Sequence, residues 1–205
     1  MGELEQYPDQ SFDLVICCDA PISYTYPDQS RTIRALLRVA RRAFVFGVSS
    51  RLGYLPYAFN PQQRQQYFAD PASSAPEMNW FREATPLAGF RPDLASARRA
   101  LVSGILGDPD EVDRGYAAGY PVWPHNYLFL PEELRETLTR HGAHDVRLSG
   151  PGALARSIPN EMLRSMLFDP EYREPFLDLC YDFDSHPAVC GLGKDNLVAS
   201  GLTGG

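Results

Sequence analysis

Two short apolar runs with a helical stripe between them constrain this chain more than any other feature. Phe12-Asp13-Leu14-Val15-Ile16-Cys17-Cys18 is nearly continuous in strand-forming residues, and Ala43 to Val48 (Ala-Phe-Val-Phe-Gly-Val) repeats the pattern. Such runs suit parallel strands covered on both faces. The first stops at Asp19-Ala20-Pro21, because Pro21 pushes Ala20 away from helical geometry and cannot donate to a ladder. After Tyr26-Pro27-Asp28, Ile33, Leu36, Leu37 and Ala40 recur at helical spacing, with Arg31, Arg34, Arg38 and Arg41 mostly off the stripe. This predicts a helix over 28–42 and a strand over 43–48. Strand, helix and strand within roughly 40 residues make one βαβ crossover, the unit of an α/β fold.

Residues 51–124 break the pattern. They hold half of the 18 prolines and eleven of the aromatic residues, on short helical pieces predicted near 61–69, 93–106 and 109–118. The composition is too ordered for a linker and too broken for sheet, so 51–124 is expected to form a helical insertion or cap over one end of the sheet. Regularity returns at Pro131-Glu132-Glu133-Leu134. Proline at the first helical position, acids in the first turn and Arg140-His141-Gly142 at the end follow the polarity of a helix. Asp145-Val146-Arg147-Leu148 predicts a third strand, residues 160–167 and 171–183 two helices, and Asn196-Leu197-Val198-Ala199-Ser200 a fourth strand. The whole of 1–205 is expected to form a single α/β domain.

A net charge of −7 lacks the basic footprint that nucleic acid or an anionic membrane surface requires. No run approaches a membrane span and the first residues do not resemble a signal peptide, which points to a cytoplasmic protein. Its cysteines (Cys17, Cys18, Cys180, Cys190) are then expected as reduced thiols, mostly small buried apolar groups.

Candidate motifs thin out on inspection. Gly150-Pro151-Gly152-Ala153-Leu154-Ala155 follows a strand and matches G-x-G-x-x-A. A dinucleotide fingerprint needs an uninterrupted helix next and an acid ending a following strand, and Pro159 interrupts. A glycine turn leaving a strand accounts for it. Gly191-Leu192-Gly193-Lys194 has Ala188 where a phosphate loop needs its first glycine, and Asp195 where it needs Ser or Thr. His186 and Cys190 supply only two potential ligands, so no metal site is expected. No G-x-S-x-G elbow is present.

What remains is the place where the strands end, since open parallel sheets bind ligands beyond their carboxyl ends. Cys18, Asp19, Ala20, Pro21, Ile22, Ser23 and Tyr24 follow the first strand; Ser49, Ser50 and Arg51 follow the second. Asp19 and Ser23 can hydrogen-bond a polar ligand, and Tyr24 offers a ring and a hydroxyl. Equally, Asp19 can cap a turn and Tyr24 can be core.

Ser11 to Cys18, with an acidic-proline turn before it and a helix after, resembles the fourth strand of class I S-adenosylmethionine-dependent methyltransferases. The next helix and strand, the Leu130-Pro131-Glu132-Glu133-Leu134-Arg135 helix start, and the ending Asn196-Leu197-Val198-Ala199 resemble that family's later elements. They correspond to strands four to seven of a Rossmann-like sheet, the seventh antiparallel. The resemblance covers roughly 11–50 and 125–201. It implies S-adenosylmethionine as cofactor and a small-molecule acceptor of a methyl group on O, N or C. It places Cys18, Asp19 and Ala20 near the cofactor, Tyr24 and Tyr127 near the substrate, and His125 at the pocket mouth as a proton acceptor. His125 bonded only to nearby backbone is the plainer alternative. The family's strands one to three, with the glycine-rich loop and the ribose-binding acid, precede its fourth strand, and only eleven residues precede Phe12. A truncated or C-terminal part of such an enzyme is therefore expected, or a non-catalytic half-fold that associates with a partner chain or itself. Without strand one, the 12–18 strand becomes an apolar edge open to a homodimer or a partner chain.

Overall fold

The structure, a computed structural model, describes residues 4–55, 59, 93–107, 110, 113, 117, 125–193 and 196–204. Its centre is a four-stranded sheet. Strand β1 (Phe12–Cys17) leads through a 3-10 turn (Pro21–Thr25) into helix α1 (Gln29–Val39), which runs directly into β2 (Ala40–Ser49). Helix α2 (Leu94–Ser103) precedes a two-stranded ladder, β3 (Ile105–Leu106) with β4 (Asn126–Tyr127). Helix α3 (Pro131–Arg140) and β5 (Ala143–Ser149) follow, then α4 (Asn160–Phe168), α5 (Pro170–Asp184) and β6 (Asn196–Thr203). The main sheet has the order β1-β2-β6-β5. β1 and β2 are parallel, while β6 runs antiparallel to both β2 and β5. β1, β2 and β5 thus share one direction and β6 alone is reversed. This is a mixed α/β fold.

Several boundaries differ from expectation. Ala40, Arg41 and Arg42 belong to the strand, not to the helix expected to reach 42. Ala40 pairs with Phe12, and the Arg41 guanidinium meets Asp13 of β1 at 2.6 Å, so tertiary pairing overrides the helix propensity of Ala-Arg-Arg. Helix 93–106 stops at Ser103, because Gly104 turns left-handed at φ 74° and the chain enters β3. The strands expected at 145–148 and 196–200 extend to Ala143–Ser149 and Asn196–Thr203. The helices expected at 61–69 and, for the most part, 109–118 lie outside the described residues.

Alternation along the strands sends alternate side chains to opposite faces. Phe44, Phe46 and Val48 of β2, with Leu197 and Ala199 of β6, meet Ile33, Leu36 and Leu37 of α1 and Leu134 and Leu138 of α3 in one core cluster. Each such fully buried Leu or Phe contributes about 1.5–3 kcal/mol. The opposite face is different. Leu14 and Ile16 of β1 are 49% and 61% exposed, and Leu202 of β6 is 43% exposed. The expectation that β1 is covered on both faces is therefore overturned: it is the edge strand, and only the α1 side packs against it among the described residues. The cysteine expectation also needs correction. Cys180 and Cys190 are buried, but Cys17 is half-buried and Cys18, beyond the strand end, is exposed. Burial pushes the Cys17, Cys180 and Cys190 thiols above their ordinary range, which keeps them protonated and unreactive.

The rejected glycine motifs have packing roles. A side chain on Gly150 would run into the carbonyl of Cys190, and one on Gly193 would lie 2.5 Å from Asn196 O and 2.6 Å from Gly150 Cα. Two glycine-bearing loops thus cross in close contact. Gly152 turns left-handed at φ 72°, and its N–H and that of Ala153 donate to the Asp184 carboxylate at the end of α5. The Gly191 carbonyl accepts from Ser50 Oγ at 2.5 Å.

Candidate functional site at the carboxyl ends of β1 and β2

The turn that leaves β1 is strained. Asp19 and Ala20 are consecutive residues in the left-handed region, at φ 64° and 56°. For a residue with a Cβ this costs about 1–2 kcal/mol, less for Asp than for Ala. Ala20 is buried at 3%, while Cys18 and Asp19 are exposed at the strand end. The kink drives the chain straight into the 21–25 turn, whose Ile22 and Ser23 are fully buried. Ser23 Oγ accepts the backbone N–H of Ser49 at 2.8 Å, pinning this turn to the end of β2. Tyr24 is half-buried on the same turn.

A second segment arrives from far along the chain. Ser49 O accepts the Phe129 N–H at 2.8 Å, and Phe129 O accepts the Arg51 N–H at 2.9 Å, so residues 126–129 extend the end of β2. β4 packs against the 21–25 turn. The contact is aromatic: the rings of Tyr26 and Tyr127 stack at 6.1 Å and 4°, His125 lies tilted 6.3 Å from Tyr26, and Phe129 meets Tyr127 edge-on at 4.9 Å. Of the sequence-predicted residues, His125 and Tyr127 are thus brought together with the turn bearing Tyr24. Cys18, Asp19 and Ala20 lie at the adjacent end of β1. Burial, then the nearby Glu133 carboxylate, raise the Tyr127 phenol above its usual range and keep it protonated.

Arg51, a candidate for ligand contact after β2, is committed elsewhere. It is 4% exposed, pairs with Glu133 at 2.6 Å, and donates Nε–H to Leu128 O at 3.0 Å and Nη1–H to Leu101 O at 3.4 Å. Its guanidinium also lies 5.9 Å from the centre of the Tyr127 ring. Glu133 at the same time accepts the Leu130 N–H at the start of α3. Arg51 therefore ties β2, α2, the 126–129 segment and α3 into one frame around the aromatic cluster. Ser50 is likewise spent on Gly191 O and Gly53 N–H.

Sequence reasoning missed Tyr26 and gave Asn126 no role. Asn126 is fully buried, and among the described residues neither its side-chain oxygen nor its nitrogen has a hydrogen-bond partner; Ser49 Oγ, His125 Nδ1 and Gln29 Oε1 share that condition. Buried polar atoms without partners are rare in folded proteins, so each of these calls for a physical explanation. Among the described residues no group of three or more metal-ligating side chains occurs, and no helix is long and apolar enough to cross a membrane.

No protein-family model and no curated protein matches the chain. Among solved structures, it is similar to Haemonchus contortus phospholethanolamine N-methyltransferase 2 in complex with phosphomonomethylethanolamine and S-adenosylhomocysteine, with a TM-score of 0.33 at 11% identity. The match covers 97% of this chain and 35% of that one, so the chain spans about a third of the enzyme's length. At that score the likeness carries no weight for fold or function.

Proposed function

We propose that the chain is the C-terminal portion of a class I S-adenosylmethionine-dependent methyltransferase acting on a small molecule. The observation that carries the proposal is the direction of the strands. Parallel β1 and β2 joined through α1, followed by α3, β5 and an antiparallel final strand, repeat the elements that the sequence resemblance assigns to strands four to seven. The aromatic cluster lies where such sheets bind ligands, at the carboxyl ends of the parallel strands.

The described residues supply only one side of a cofactor cradle, namely Cys18, Asp19 and Ala20 at the end of β1. No glycine-rich turn followed by a ribose-binding acid occurs in the sequence, so the fit to S-adenosylmethionine is incomplete and no step is derived through it. The 205-residue chain alone is expected to bind the cofactor weakly or not at all; calorimetric titration giving low-micromolar affinity would contradict this. The chain's own contribution is on the acceptor side. In this reading His125 would take a proton from a hydroxyl or amine, and Tyr24 and Tyr127 would lie beside the acceptor; the ring contacts of His125 with Tyr26 and of Tyr26 with Tyr127 support it. In a preparation completed by the glycine-loop half, His125→Ala is expected to lower turnover by about 10²-fold with the fold intact. An unchanged rate would leave His125 with a structural role only.

A second reading, a non-catalytic half-fold that associates with itself or a partner chain, is favoured by one observation. β1 is a sheet edge whose only charged residue, Asp13, is paired with Arg41, while Leu14 and Ile16 stand exposed on the uncovered face. Natural edges are blunted by charge, proline or cover. Light scattering at micromolar concentration is expected to show a dimer, and Ile16→Lys to return it to monomer. A monomeric parent chain would argue against self-association.

A further inference from the structure

We infer that the outward face of α5 docks a cationic amphipathic helix of a partner protein. This surface belongs to an element that the acceptor site does not use, and its occupant does not depend on the methyltransferase proposal.

α4 and α5 make a small core of their own. Phe176 and Cys180, one turn apart on α5, are buried with Leu163 of α4. Helical periodicity then fixes what stands beside them. Tyr172, Leu179 and Phe183 fall at i, i+7 and i+11, on a stripe next to the buried one, and all three are exposed. Glu171, Asp178 and Asp182 each precede one of these residues by a single position. The same spacing therefore sets an acidic stripe about 100° further round the helix, and the two stripes run side by side for about 16 Å. Single exposed apolar residues are ordinary, whereas an aligned row bordered by polar residues marks a contact surface.

Charge selects the occupant. Residues 160–184 hold seven carboxylates against two arginines, in a chain whose net charge is −7. Arg173 is paired with Glu174 at 3.8 Å, and among the described residues Glu171, Asp178 and Asp182 form no ion pair. A second copy docked α5 to α5 would set these carboxylates against their like, and an anionic lipid surface would meet the same repulsion. A helix with lysines or arginines bordering an apolar row meets both stripes at once. Its row packs on Tyr172, Leu179 and Phe183, while the long basic side chains lie along that contact and reach the acids with their charged ends. The apolar and aromatic side chains then supply most of the affinity, and the exposed carboxylates govern mainly the rate of association and its salt dependence.

The test uses the full chain and three labelled peptides of equal length. One has leucines at i, i+4, i+7 and i+11 bordered by lysines; the second has the same composition, scrambled to break the leucine row; the third has glutamate in place of every lysine. Binding is read by fluorescence anisotropy over a salt series. The first peptide is expected to bind about tenfold more tightly than its scrambled form, and the glutamate peptide not to bind. Leu179→Ser should weaken the first peptide about tenfold at every salt concentration. Asp178→Asn combined with Asp182→Asn should weaken it at low salt and flatten the salt dependence. Circular dichroism checks the fold of each variant, and Tyr172→Ser, on the same stripe, replaces Leu179→Ser if that variant unfolds. Equal binding of the scrambled peptide, binding unchanged in the folded variants, or binding instead to phosphatidylglycerol vesicles overturns the inference. So does a dimer of the chain that Leu179→Ser dissolves, which would assign the stripe to a second copy.

Discussion

Replacing Arg51 with methionine is expected to cost about 3 kcal/mol of folding stability, measured by urea denaturation. The side chain is buried, and its loss strands two backbone carbonyls, Leu128 O and Leu101 O, together with the Glu133 carboxylate. Breaking a fully buried pair costs about 3–5 kcal/mol, and the lower end applies because Glu133 retains access to water through 36% of its side chain. Arg51→Lys should recover only part of the loss, since one ammonium cannot reach acceptors that a planar guanidinium spans. Gly104→Ala should be damaging for a related reason. Its new methyl would run into the Arg51 guanidinium and lie 2.8 Å from Leu128 O, at a φ that only glycine adopts freely. A change below 1 kcal/mol for Arg51→Met would show that water replaces the guanidinium and that the frame does not depend on it.

Gly150→Ala is expected to be comparably severe, about 3 kcal/mol or more, because the added methyl meets backbone, the Cys190 carbonyl, rather than a side chain that can rotate away. Gly152→Ala, two residues on, meets nothing within 4 Å and should cost only the strain of a positive φ, about 1 kcal/mol. The contrast within one Gly-Pro-Gly turn separates packing from conformation. Equal, small losses in the two variants would mean that the two loops part easily and that Gly150 has no packing role.

Much of the fold could be read from the sequence because its strands and helices announce themselves locally. The 12–18 run, the stripe from Ile33 to Leu37 and the Pro131-Glu132-Glu133 start each carry their own period or cap. Boundaries failed where local preference and pairing disagree, as at Ala40-Arg41-Arg42, which are good helix formers held in a strand by Phe12 and Asp13. The same applies to the helix expected through 106, which a left-handed Gly104 ends early. The site was legible only in part. Position after a strand nominates Asp19, Tyr24 and Arg51 alike, but it cannot tell that Arg51 faces Glu133 across 82 residues. Nor can it foresee that Tyr26 stacks on Tyr127, or that Asn126 is buried without a hydrogen-bond partner among the described residues. Those facts arise from a segment near 126 folding back onto a turn near 23, and no local pattern encodes that meeting.

The reversed strand has a consequence for how the chain reaches this state. Among the described residues β5 pairs in the main sheet only with β6, and β6 reaches β2 by pairing Asn196 with Ser49 and Leu202 with Ala43. The β1-α1-β2 crossover closes a short loop and can form on its own contacts. The α3-β5 unit can also form locally and can meet the crossover through the core contacts of α3 with α1, but β5 joins the sheet only when β6 inserts between it and β2. Contacts this distant in sequence carry a loop-closure penalty before they return any stabilisation, and they slow folding relative to local pairings. Until β6 arrives, the edge of β2 that carries Phe44 and Phe46 stands open, so the interval most exposed to aggregation is set by the final insertion and not by the early crossover.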